Sequence, residues 1–202
     1  RAYPNTGALY HIDLYLVAGD LPDLAAGVYH FGPHDFALRR LREGDWRGVL
    51  LAASGKNADV ARAPVVVASA STYWRNSWKY QARAWRHCFW DAGTLHANLI
   101  AAAAADALEP RVVLGWADRP VEELLGLDLD SESTLTPFPL GRARGPQPPL
   151  SRDQFVAVPF RSYQQGLEES ALGNGGAQLF ELRFLKLGPG LVAIRSDSVR
   201  RA

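Results

Sequence analysis

The chain has 202 residues, 48% hydrophobic and 21% charged, enough to bury one sizeable core or two small ones. Lys and Arg total 22 against 21 acidic residues, so the net charge of +1 offers no global field for nucleic acid or an anionic membrane, and any cationic site must be local. A single cysteine, Cys88, excludes an internal disulfide framework and fits a reducing, cytoplasmic setting.

In chain order, "ALYHIDLYLVA" (8–18) alternates with the period of a strand whose buried face carries Leu14, Leu16 and Ala18. "GVYHFGPHDFALRRL" reads as two strands joined at Gly32 and Pro33, a hairpin. "EGDWRGVLLAA" is a short helix or a turn. The β-branched run "APVVVASAS" (63–71) predicts a strand buried on both faces. From Trp78 to about Leu108 helix formers dominate, predicting one long helix or two in series. A stripe through Phe89, Ala92, Gly93, His96, Ile100, Ala103, Ala104 and Ala107 has the small residues that allow close helix approach. "RVVLGWAD" predicts another buried strand ended by Gly115, and "PVEELLGL" a short helix with Pro120 in its first turn. "TLTPFPLG" (134–141) predicts a final strand whose prolines place it at a sheet edge.

After this the composition shifts. "GRARGPQPPL" (141–150) reads as a linker, followed by strand-like runs around a polar stretch containing "GNGG" (173–176), a flexible loop. The expected organisation is an α+β domain over 1–142 and a linker with a C-terminal extension over 143–202. No stretch reaches the roughly 20 apolar residues of a membrane-spanning helix; the richest, "LHANLIAAAAADAL", carries His96, Asn98 and Asp106. The sequence opens at Arg1 with no signal pattern, and is expected to lack its natural amino terminus.

Two places carry candidate chemistry. The loop Pro4, Asn5, Thr6, Gly7 exposes backbone N–H groups and small side chains, which suits close approach of a flat hydrogen-bonding ring or a phosphate; an ordinary turn has the same composition. Residues 73–90 hold four of the six tryptophans together with Lys79, Tyr80, Arg83 and Arg86. An amine beside a phenol can serve as proton donor and acceptor. In the alternative, Trp78, Trp85 and Trp90 are core residues and Lys79, Arg83 and Arg86 a solvated helix face. The five histidines and Cys88 show no metal-ligand spacing, and Cys88 reads as buried on a helix. Asp91 and His96 are expected in core or cap roles.

"RAYPNTGALYHIDLYLV", "GVYHFGPHDFALRRL", "WKYQARAWRHCFWDAGTLHANLIAAAAA" and "RVVLGWADRPVEELLGLD" resemble, in order, blocks of the SagB-type, azoline oxidase-like, FMN-dependent dehydrogenases of the nitroreductase superfamily. The resemblance covers about residues 1–142. It implies a mainly antiparallel sheet flanked by helices with a long central helix, in an obligate dimer or fused pseudo-dimer with FMN at the interface. It places Pro4, Asn5, Thr6 and Gly7 on the flavin, with Asn5 where the family has serine, and Leu114 and Gly115 near the isoalloxazine. Lys79 and Tyr80 become the pair needed to oxidise thiazoline or oxazoline rings of a peptide, Tyr80 or, in the opposite assignment, Lys79 taking the proton while hydride leaves for the flavin.

The family's Arg-x-Ser-x-Arg phosphate motif has no counterpart before Arg1, leaving Arg1, Arg142, or Ser198 and Arg200 of the tail as phosphate partners. The implied partners are a peptide substrate and cyclodehydratase subunits. Two other readings stay open: a catalytically inactive nitroreductase-like subunit that binds a partner or leader peptide, and a general NAD(P)H nitro or quinone reductase.

Overall fold

In a computed structural model, residues 2–141, 150, 180–181, 183–187 and 191–195 are described. The strands β1 (Ile12–Ala18), β2 (Gly27–Gly32), β3 (Ala37–Glu43), β4 (Val65–Thr72), β5 (Glu132–Leu140) and β6 (Phe180–Glu181) form one sheet in the order β5-β4-β1-β2-β3-β6, every pair antiparallel. A separate hairpin joins β7 (Arg183–Leu187) to β8 (Leu191–Arg195).

Helices cover both faces of the sheet. On one, α1 (Arg47–Ala53), α2 (Ala58–Arg62) and α5 (Asp118–Leu125) pack on Tyr15, Val17, Val66, Ala68 and Ala70. On the other, α4 (Ala84–Ala105) brings Cys88, Ala92 and Leu95 onto Ile12 and Leu135. All eight residues of β4 are buried, as its unbroken apolar run predicts. β1 differs from the one-sided strand expected: Tyr15 and Val17 are buried as well as Leu16 and Ala18, because helices lie above and below it.

The prolines of β5 do mark an edge. Arg111 N–H donates to the Pro139 carbonyl and Val113 N–H to the Pro137 carbonyl, both at 3.3 Å. A residue's N–H and C=O leave a strand on the same side, so the N–H that each proline lacks belongs to the outer edge, and the ladder with β4 loses nothing. The segment from Arg111 is therefore clipped to β5 through the Arg111 and Val113 amides alone, Ala117 N–H turns instead to the Ala53 carbonyl, and the buried strand expected there is not formed. Val113 turns inward, while Leu114 is 82% exposed.

The stretch from Trp74 resolves into helices in series. α3 (Trp74–Tyr80) ends where Gln81 takes φ +50° and ψ −133°, a conformation that side chains rarely adopt; a 3-10 turn over Gln81–Arg83 then leads into α4. The buried face of α4 runs through Ala84, His87, Cys88, Asp91, Ala92, Leu95, His96 and Ala103. Of the expected stripe, Phe89, Gly93, Ile100 and Ala104 instead face outward. α5 ends on Gly126 in the left-handed region, with Leu127 N–H donating to Glu122 C=O, and the buried Arg42 guanidinium donates to the carbonyls of Leu124 and Glu123.

Candidate functional site

Residues 4–10 form a tight loop over the start of α4. Asn5 organises it: its side-chain oxygen accepts from Tyr10 N–H at 2.8 Å, and its carbonyl accepts from Ala8 N–H at 3.0 Å. Gly7, Ala8 and Tyr10 all have positive φ, so strain is concentrated here. The buried Asn5 Nδ2 has no hydrogen-bond partner among the described residues.

Two side chains one helical turn apart on α4 hold the loop in place. Asp91 accepts from Thr6 N–H at 3.0 Å and from Thr6 Oγ1 at 2.8 Å, while Thr94 Oγ1 donates to the Pro4 carbonyl at 2.7 Å. The fully buried His11 completes the carboxylate's shell, its Nε2 lying 3.0 Å from Asp91 Oδ2 and its Nδ1 2.9 Å from Ser71 Oγ. A carboxylate facing these groups accepts, so Nε2 carries a proton. Ser71 Oγ is also 3.3 Å from Cys88 Sγ, a thiol that burial pushes above its ordinary pKa and so keeps protonated.

The loop meets the end of α3 at Gly7. A Cβ added there would stand 2.5 Å from Tyr80 Oη and 3.3 Å from Lys79 Nζ, so the absence of a side chain lets the loop touch both candidate proton-handling groups. Lys79 Nζ lies 5.3 Å from the centre of the Tyr80 ring. Behind Tyr80, the His87 ring packs edge to face at 4.6 Å, and its Nδ1 is 2.9 Å from Oδ1 of the fully buried Asn76. The break at Gln81 makes this possible, because it turns α3 back so that Tyr80 rests on the first turn of α4.

Pro4, Asn5, Thr6, Gly7, Lys79 and Tyr80 are thus drawn into one neighbourhood. Leu114 and Gly115 stand apart from it on the segment outside β5, and a Cβ at Gly115 would meet nothing within 4 Å. Arg1, Arg142, Ser198 and Arg200 lie outside the described residues. Trp78, Trp85 and Trp90 are not core residues: they are 67%, 60% and 57% exposed. Lys79, Arg83 and Arg86 are exposed, as on a solvated face, yet Lys79 still reaches Gly7. Asp91, expected in a core or cap role, is buried and bonds the loop, while Thr94, His11, Asn76 and His87 carry structural weight that sequence reasoning did not assign. The one available signal was Asp91, an acid in an otherwise uncharged run of helix formers.

An antiparallel sheet with a long helix across one face and shorter helices on the other makes this a nitroreductase-like fold, as the sequence resemblance implied. A solved structure from Anabaena variabilis, assigned as a nitroreductase, superposes with TM-score 0.68 at 27% identity over 70% of this chain and 29% of its own. A chain of the E. coli microcin synthetase McbBCD complex with truncated pro-MccB17 bound superposes with TM-score 0.64 at 24% identity, over 71% of this chain and 56% of its own. Among curated proteins, one of Methanocaldococcus jannaschii assigned as a nitroreductase is 26% identical over 142 residues, 70% of each chain. The microcin B17-processing protein McbC of Escherichia coli is 26% identical over 133 residues, 63% of this chain and 49% of that protein. The chain therefore spans about half the length of McbC. No protein-family model matches the chain.

Proposed function

We propose that this chain is a flavin-dependent oxidoreductase domain that oxidises thiazoline or oxazoline rings of a peptide, with Lys79 and Tyr80 as its proton-handling pair. The observation that carries this reading is the meeting at Gly7 of the strained 4–10 loop with Lys79 Nζ and Tyr80 Oη. The similarity to McbC supports a peptide substrate and partner subunits of the cyclodehydratase kind.

The residues present fit an FMN. The orphaned Asn5 Nδ2 supplies an unused donor, and the Pro4–Gly7 loop gives the close backbone approach a planar, hydrogen-bonding ring needs. When bound, FMN supplies the two-electron acceptor for the aromatisation. Tyr80 Oη takes the proton lost from the azoline ring, and the neighbouring Lys79 amine orients the ring nitrogen. Asp91, through Thr6, holds the loop against this pair. Arg1, Arg142, Ser198 and Arg200 are the proposed phosphate contacts, and Leu114 and Gly115 the proposed backbone edge near the ring.

A second copy, or a fused half, is the proposed cover for α4. Its outward face carries Trp85, Phe89, Trp90 and Ile100, and between Arg86 and Asp106 its one charged residue, Asp91, is buried. Among the described residues no helix is long and apolar enough to cross a membrane.

Reconstitution with FMN, followed by visible absorbance and then by turnover of a thiazoline peptide, tests the reading. Lys79→Ala and Tyr80→Phe should retain FMN and lose oxidation; unchanged turnover in Lys79→Ala would remove the assignment. A chain that takes up no FMN but binds the leader peptide is an inactive subunit. Consumption of NAD(P)H with a nitroaromatic and no peptide identifies a general reductase.

A further inference from the structure

Tyr80 is confined on two sides. In front stands the 4–10 loop, where a Cβ at Gly7 would come within 3.3 Å of Tyr80 Cε2 as well as 2.5 Å of its Oη. Behind stands the buried His87, edge to face with the phenol at 4.6 Å and itself backed by Trp90, whose ring centre is 5.6 Å away.

A ring packed this way is only as steady as the side chain behind it, and α3 itself fixes that side chain. The hydrogen-bond partner of His87 is Asn76, which lies one helical turn before Tyr80 on α3. An amide oxygen only accepts, so His87 Nδ1 carries the proton and donates it to Asn76 Oδ1. Residues four apart share a helix face, so α3 grips one α4 side chain twice, by a hydrogen bond at residue 76 and by ring contact at residue 80. The Asn76 Nδ2 is buried with no partner among the described residues, so the bond to His87 is all that satisfies this amide there. The double grip spans the break between the helices. Gln81, at φ +50° and ψ −133°, keeps that backbone only where its surroundings dictate it. With His87 gone, the elbow is free to relax and carry Tyr80 away from Gly7.

We propose that His87 is the positioning residue of Tyr80: clamped by Asn76, it fixes where the phenol stands against the Gly7 loop. Its consequence for catalysis rests on the oxidoreductase reading above, whereas the placement itself requires no flavin. A proton acceptor must stand within hydrogen-bond reach of the atom it serves, so a small displacement of Oη costs rate more than it costs binding.

One Gly7 Hα points where the added Cβ would stand. The flavin-free full chain, isotopically labelled in glycine and tyrosine, should therefore show a nuclear Overhauser contact between Gly7 Hα and the Tyr80 ring. His87→Asn keeps a donor near the Nδ1 position but removes the ring, and should lose that contact. In the FMN-loaded chain it should lower kcat for a thiazoline peptide about tenfold or more, with KM and FMN affinity unchanged. Asn76→Leu removes the acceptor, leaves both rings in place and should also lose the contact, so the clamp is tested even where His87→Asn does not fold. No contact in the parent, an undiminished contact in either folded variant, a kcat equal to the parent's in an active enzyme, or an FMN affinity that falls in step with kcat would each overturn the proposal. A parent that shows the contact, loses it in the variants and oxidises no azoline sinks the redox reading and leaves the placement standing.

Discussion

Thr6 gives both of its hydrogen-bond donors to Asp91, the backbone N–H at 3.0 Å and the hydroxyl at 2.8 Å. The same carboxylate faces the fully buried His11, so one acid ties the loop, β1's entry and α4 together. Asp91→Ala should destabilise the chain by about 2–4 kcal/mol, since it strands a buried imidazole as well as two donors. Urea unfolding reads this directly, and a loss under about 1 kcal/mol would show that the network is incidental.

Gly7→Ala and Gly93→Ala should behave oppositely. At Gly7 the new methyl meets Tyr80 Oη in a backbone region unfavourable to alanine, so a cost of about 1–2 kcal/mol and a displaced tyrosine are expected. At Gly93 a Cβ meets nothing within 4 Å, so alanine should stabilise the isolated helix by up to about 1 kcal/mol. If a second copy packs closely across this face, the same change should weaken association in sedimentation while leaving the monomer sound.

His96 gives stability a pH dependence of known sign. Burial holds its imidazole below the ordinary histidine value, with Nε2 3.1 Å from Ser69 Oγ. The unfolded chain therefore binds this proton at a higher pH than the folded one does. The contribution is complete above about pH 6.5 and declines as pH falls toward the depressed folded value, by no more than about 1.4 kcal/mol per pH unit from this one site. His96→Gln, which can still bond Ser69 but does not titrate, should flatten that part of the profile in urea midpoints.

Cys88 should be a reporter of unfolding. It is 1% exposed and its thiol is held protonated, so iodoacetamide should label it slowly in the native chain and rapidly in urea. Fast native labelling would place Cys88 on a surface instead.

Much of the fold could be read from local pattern. The hairpin at Gly32 and Pro33, the doubly buried β4, the proline-marked edge of β5 and the short helix carrying Pro120 all follow from spacing and turn chemistry. The convergence of Gly7 with Lys79 and Tyr80 came from family resemblance, because residues so distant in the chain leave no periodic trace of contact. Residues 111–117 were misread since an apolar run does not say whether its neighbour can complete a ladder, and Pro137 and Pro139 have no N–H to return to it. The tryptophans misled for a related reason: hydrophobicity predicts burial, but not whether the covering surface belongs to the same molecule. Asp91 was visible as an oddity, though its partners Thr6 and His11 were not.

The border made by β5 limits how the molecule can assemble. At Pro137 and Pro139 it has carbonyls but no amide hydrogens to offer outward, and those carbonyls are already taken by Val113 and Arg111. A foreign peptide cannot continue the pleated array there, so fibril-like stacking is blocked along that margin.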